Sequence, residues 1–123
     1  MIATQANPVA IERDEPQRRD AAVEGVHLVS DHALGVLRQR MAPGAADTAH
    51  RHCLASQYFY VLSGVLVVEL DGVRCVVAAG QGVHVSHGVT HRLANESAED
   101  TELLVVSAPN CRPAGDAPGI ALQ

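Results

Sequence analysis

Tryptophan is absent from this chain, phenylalanine occurs once, at Phe59, and tyrosine twice, at Tyr58 and Tyr60. Any internal cavity must therefore be lined mainly by aliphatic side chains. Cysteine is also scarce. Cys53, Cys75 and Cys111 are odd in number and widely spaced, which suits neither a disulfide framework nor a paired-cysteine zinc site, so reduced thiols are expected. No apolar run approaches the roughly 20 residues that a spanning helix needs. The N-terminal stretch MIATQANPVAIERDEPQRRD lacks the basic-then-apolar order of a secretory signal. These absences predict a cytoplasmic protein with no membrane partner. Positive charge is in short supply as well: Lys and Arg number 9 against 14 Asp and Glu, for a net charge of −5. Beyond Arg18-Arg19 and Arg38/Arg40 there is no basic cluster, which argues against a nucleic-acid partner.

Hydrophobic residues make up 47% of the 123. One domain of that length can bury a real core. Residues 1–21 are polar and contain proline, and are expected to form a flexible arm with at most a short strand near Ile11. From Val23 onward, short β-branched and aliphatic segments alternate with turn signals. Strands are expected at 23–29, 33–41, 48–53, 57–63, 65–70, 73–78, 82–86, 91–95 and 101–107. Asp71-Gly72, between VLVVEL and VRCVV, supplies the positive φ angles of a tight hairpin turn. Nothing shows helical periodicity with caps at both ends. The pattern predicts an all-β sandwich or barrel over 22–108, followed by an irregular tail over 109–123 rich in proline and glycine.

Seven histidines are many for so short a chain, and most lie in its middle. His50 and His52 are two residues apart, so on a strand both rings face one side and can converge on a point about 2 Å from each nitrogen. His91 follows on a separate strand after the turn at 87–88, and antiparallel packing can bring it opposite the pair.

In these residues the chain resembles the cupin superfamily. Gly44-x5-His50-x-His52-x4-Gln57-x6-Gly64 looks like the first cupin motif, and Gly80-x5-Ser86-x-Gly88-x2-His91-x3-Asn95 looks like the second. The resemblance spans about residues 33–108. It implies a cupin-type jelly-roll β-barrel, one divalent metal ion inside it on His50, His52 and His91, with Gln57 either as a fourth ligand or as a hydrogen-bonding residue that does not touch the ion, and a homodimer. The family usually has Glu at the place of Gln57 and Pro at the place of Ser86. An amide oxygen can ligate but cancels no charge, so the ion would favour an anionic group as its next ligand. Imidazole ligands suit Fe(II), Ni and Zn, with Mn also admissible, while the resemblance raises Fe(II).

The remaining candidates have plainer readings. His84 alternates with Val83 and Val85 and is expected to face away from the core; His87 sits in a turn. His27 and His32 carry no assigned role. Cys53 points away from the metal by strand parity. If Gln57 faces in, Tyr58 and Tyr60 face out, although Tyr60 is kept with Gln57 as a candidate catalytic residue because non-oxidative chemistry needs a base. Of Arg38, Gln39 and Arg40, a solvated edge strand is the simpler reading, and one of them gripping a substrate carboxylate the other. The functional expectation is a metal-dependent enzyme, a dioxygenase by preference, acting on a small oxygenated or anionic substrate that chelates the ion. The alternatives are a non-oxidative isomerase, cyclase or lyase, or a cupin that binds small molecules without turnover.

Overall fold

A computed structural model describes residues 17–20, 23–51 and 54–110. The strands are β1 (Gln17–Asp20), β2 (Val23–Ser30), β3 (Gly35–Met41), β4 (Ser56–Ser63), β5 (Val65–Leu70), β6 (Val73–Ala78), β7 (Gly82–Val85), β8 (His91–Ala94) and β9 (Thr101–Ala108). No helix among the described residues is long and apolar enough to cross a membrane. Six strands form one sheet in the order β1-β2-β3-β9-β4-β7, and three form a second in the order β6-β5-β8. Every pairing is antiparallel. The all-β jelly roll is as expected, with the described strands arranged as two facing sheets that do not close into one hydrogen-bonded barrel.

The core follows from strand parity. Phe59, Val61, Leu103, Val105 and Met41 point inward from the large sheet, while Leu66, Val68, Val77 and Leu93 meet them from the small one. β9 shows the alternation most regularly: Thr101, Leu103, Val105 and Ser107 are buried, and the residues between them are half-buried. The hairpin joining β5 to β6 turns through Asp71 at φ 49° and Gly72 at φ 85°, the pair of positive angles that its sequence requires. Gly64 has φ 83°, and a Cβ there would sit 2.9 Å from the Thr101 Cα. Only glycine fits where the chain passes from the large sheet to the small one.

Three local expectations need correction. First, a strand occurs at Gln17–Asp20 in the expected arm, pairing with β2. Such a pairing uses backbone groups alone, so polar side chains do not prevent it; Ile11 lies outside the described residues. Second, of the strand expected at 48–53, residues 48–51 are described and form no regular strand, while His52 and Cys53 lie outside the described residues. The segment runs beside β8 through two isolated bridges, Ala46 to Ala94 and His50 to His91. One extra residue on its side of the ladder breaks the register. Between the bridges, the Leu93 amide bonds to the Asp47 side chain at 2.8 Å in place of a backbone carbonyl. Third, β3 is no edge strand. It lies between β2 and β9, so Gln39 is buried on the inner face while Arg38 and Arg40 pair outward with Glu102, Glu24 and Asp100.

Asn95 ties the two motifs together. It is 1% exposed and exchanges backbone hydrogen bonds with Gly44 and Ala45. Its Nδ2 donates to the carbonyls of Met41 and Glu99, and its Oδ1 accepts from the amide and hydroxyl of Ser97. A buried amide needs such partners, because each unmade bond is left without water to replace it.

Candidate metal centre

His50 and His91 meet across the gap between the first motif and β8. Each backbone N–H donates to the other's carbonyl, at 2.9 and 2.8 Å. Directly opposed residues put their side chains on the same face, and the two rings lie side by side with centroids 4.5 Å apart and planes tilted by 57°. His91 is 2% exposed and its ring lies 5.7 Å from that of Phe59 on the opposite sheet. The one phenylalanine of the chain thus meets the His91 ring at a tilted angle, its plane inclined by 50°.

The tautomer of both rings follows from their partners. His50 Nδ1 lies 2.7 Å from the Thr48 carbonyl, and His91 Nδ1 lies 3.0 Å from the Val89 carbonyl. A carbonyl oxygen can only accept, so Nδ1 carries the proton in the neutral ring and Nε2 carries the lone pair. Imidazoles that ligate metals are held in this way, with the second nitrogen donating to a carbonyl or carboxylate.

Gln57 is 7% exposed and shares the inner face of the large sheet with Phe59 and Val61. It stands opposite Ser107 on β9, and its Nε2 donates to the Ser107 Oγ at 3.0 Å. Its Oε1 is buried and has no hydrogen-bond partner among the described residues. A buried amide oxygen without a donor is unfavourable unless a cation or ligand group meets it. Two imidazoles with Nε2 lone pairs and one such oxygen are chemically suited to a divalent ion. His52 and Cys53 lie outside the described residues. Among those described, no three His, Cys, Asp or Glu side chains group to hold a metal.

The other candidates separate cleanly. His84 and His87 are exposed, and Tyr58 is 41% exposed. Tyr60 is half-buried, but on β4 it alternates with Phe59 and Val61 and pairs with Leu104 and Gly82 on the outer face of the sheet. The expectation that Tyr60 supplies a base inside the fold is corrected by this parity. Three more residues lie on the inner face: Gln39, which the sequence offers together with its flanking arginines as a carboxylate grip, and His27 and Ser107, to which the sequence reading gives no role. Gln39 is 4% exposed. His27, with its Nε2 buried, is paired with Leu37, which is itself paired with Val105, in the row that ends at Phe59. Alternation along β2 from Val23 through Gly25 is the signal that finds His27. Ser107 is the third such residue, and only its opposition to Gln57 marks it.

Among known proteins, the family model for the cupin domain matches residues 37–107. TcmJ, a tetracenomycin polyketide synthase protein of Streptomyces glaucescens, is 33% identical over 55 residues, which is 45% of this chain and 37% of TcmJ. The matched stretch thus spans well under half of that relative. SchB of Streptomyces halstedii is 29% identical over 115 residues, covering 89% of this chain and 82% of SchB. A solved RmlC-like cupin from Shewanella frigidimarina superposes with a TM-score of 0.75 at 25% identity, covering 84% of this chain and 90% of that one. With the two glycine-bounded motifs, the facing sheets and a family match over more than half its length, the chain belongs to the cupin family.

Proposed function

We propose that this protein is a metal-dependent cupin enzyme acting on a small, oxygen-rich substrate that chelates the ion, an enolizable polyketide-type compound, and that its chemistry is that of a dioxygenase. The observation that carries this reading is the inward His50–His91 pair with Nε2 lone pairs, facing a sheet on which the buried Gln57 Oε1 lacks a partner among the described residues. His50, His52, His91 and Gln57 would hold the ion; the imidazole donors suit Fe(II), Ni or Zn, with Mn also admissible, and the cupin resemblance favours Fe(II). The ion would supply Lewis acidity and, as iron, redox capacity. The chain's own residues do the rest. The Thr48 and Val89 carbonyls fix the ring orientations. Gln57 would ligate without cancelling charge, which would favour an enolate or carboxylate substrate. Phe59 and Val105, with the partly buried Leu37 and Leu70 packed against their cluster, would offer an apolar surface to a carbon skeleton. The substrate class draws support from TcmJ, whose name ties it to a polyketide synthase.

A non-oxidative cyclase is the second reading, favoured by His27 on the inner face of β2, which offers an ionisable group for proton transfer. Oxygen uptake separates the two. Protein loaded anaerobically with Fe(II) is mixed with a panel of 1,3-diketones and polyphenols, and uptake is followed with product analysis. Uptake that requires Fe(II) and vanishes in His91→Ala supports the dioxygenase. Conversion without uptake, with Zn or Ni as effective as iron, transfers the assignment to the cyclase. No conversion with any metal leaves a binding protein. The homodimer belongs to the same proposal. Val36, Val106 and Tyr58 lie side by side on the outer face of the large sheet, and light scattering at twice the chain mass is the expected result.

A further inference from the structure

A primary amide has two ends of opposite polarity, and only its oxygen can meet a cation. In Gln57 the nitrogen end is turned to Ser107 and the oxygen end has no partner among the described residues. Both residues are buried, at 7% and 5% exposure, and they stand directly opposite each other on β4 and β9. A buried NH2 group without an acceptor is unfavourable, so an inward-facing oxygen is maintained only if something accepts from the nitrogen. The Ser107 hydroxyl oxygen is that acceptor. It comes from a residue 50 positions away in sequence and outside both histidine motifs.

We propose that Ser107 is a positioning residue that holds the Gln57 amide with its oxygen presented to the ion, an inference that rests on the metal reading above. The two side chains form a neutral ligand unit. Ser107 takes the amide hydrogen, Oε1 is left for the cation, and the full charge of the ion remains for an anionic substrate. In a Gln57→Glu protein the two ends of the side chain would be equivalent. The hydroxyl would then donate to the carboxylate, and the requirement for Ser107 would relax.

That difference defines the test. Co(II) is titrated into the metal-free full chain and followed by its visible absorption, for wild type, Ser107→Ala, Ser107→Thr, Gln57→Glu and the Ser107→Ala/Gln57→Glu double variant. Losing the acceptor should weaken cobalt binding about tenfold in the glutamine background, the effect of one unmade buried hydrogen bond. Threonine, which keeps the hydroxyl, should restore affinity to within about threefold, and in the glutamate background the alanine change should also matter less than about threefold. An equal loss in both backgrounds would mean that Ser107 only supports the sheet, and no loss in either would remove the role altogether. Should the alanine variant not fold, threonine against wild type and Gln57→Glu still reads the hydroxyl's contribution: a tenfold loss with threonine overturns the proposal. Wild type that takes up no cobalt overturns the metal reading itself, whereas cobalt bound alike by all five proteins overturns the positioning role alone.

Discussion

The two ends of the space between the sheets are built by the same strands under different rules. At the end near Met41, Val61, Leu66 and Leu103 the side chains are fully buried and apolar, and the buried Asn95 and Thr101 side chains beside them are hydrogen-bonded. Asn95 makes its four side-chain hydrogen bonds there, and Thr101 donates to the Val65 carbonyl at 2.6 Å. At the other end, near Phe59, the same inner faces carry His50, His91, Gln57 and Ser107, and a buried amide oxygen lacks a donor among the described residues. One end is organised for stability, with apolar packing and with Asn95 and Thr101 tied to the backbone around them. The other keeps unmet ligating capacity, which stability alone does not explain.

The comparison breaks most visibly through the closed end. Leu103→Ala, at a site with no exposed surface, should destabilise the protein by about 2–5 kcal/mol, read by chemical denaturation. Asn95→Ala should destabilise it by about 2–3 kcal/mol, because the Met41 and Glu99 carbonyls and the Ser97 groups lose their partner together. At the open end the metal-free protein should respond differently. Gln57→Leu should cost less than Asn95→Ala, about 1 kcal/mol, since it breaks the single bond to Ser107 and also removes an acceptor without a donor among the described residues. A large loss there would mean that Gln57 belongs to the structural core. The smallest effect lies outside both ends. Arg74, through its hydrogen bonds and charge, holds the Glu96 carboxyl below the usual carboxylate range. Its contribution is complete above the ordinary carboxyl value and disappears as pH falls through the lower folded value. Glu96→Gln should therefore flatten slightly the acid side of a melting-temperature profile and leave wild type and variant alike at the acid limit.

The division between the ends is partly legible in the chain itself. Asp71-Gly72, the β9 alternation and the outward placement of His84 follow from local rules, because turn angles and two-residue periodicity need only neighbours. His50 opposite His91 requires two distant segments, and the resemblance of the glycine-bounded motifs supplied that link. Where partners lie far apart with no motif between them, sequence reasoning ran out. Ser107 has no mark except its position across from Gln57, and Gln39 is not set apart from the two arginines flanking it. Tyr60 is a candidate base by its chemistry alone, and its strand parity places it on the outer face. The described residues just before His52 run beside β8, but the Asp47 side chain competes for the ladder and it is reduced to isolated bridges at Ala46 and His50.

The most direct measurement is the equilibrium metal occupancy of the full chain, determined by elemental analysis after dialysis against a limiting divalent metal, for wild type and for His91→Ala. The account predicts one ion per chain in wild type and almost none in the variant, with the metal-free forms similar in circular dichroism. Wild type without metal, or a variant that keeps its ion, would contradict it.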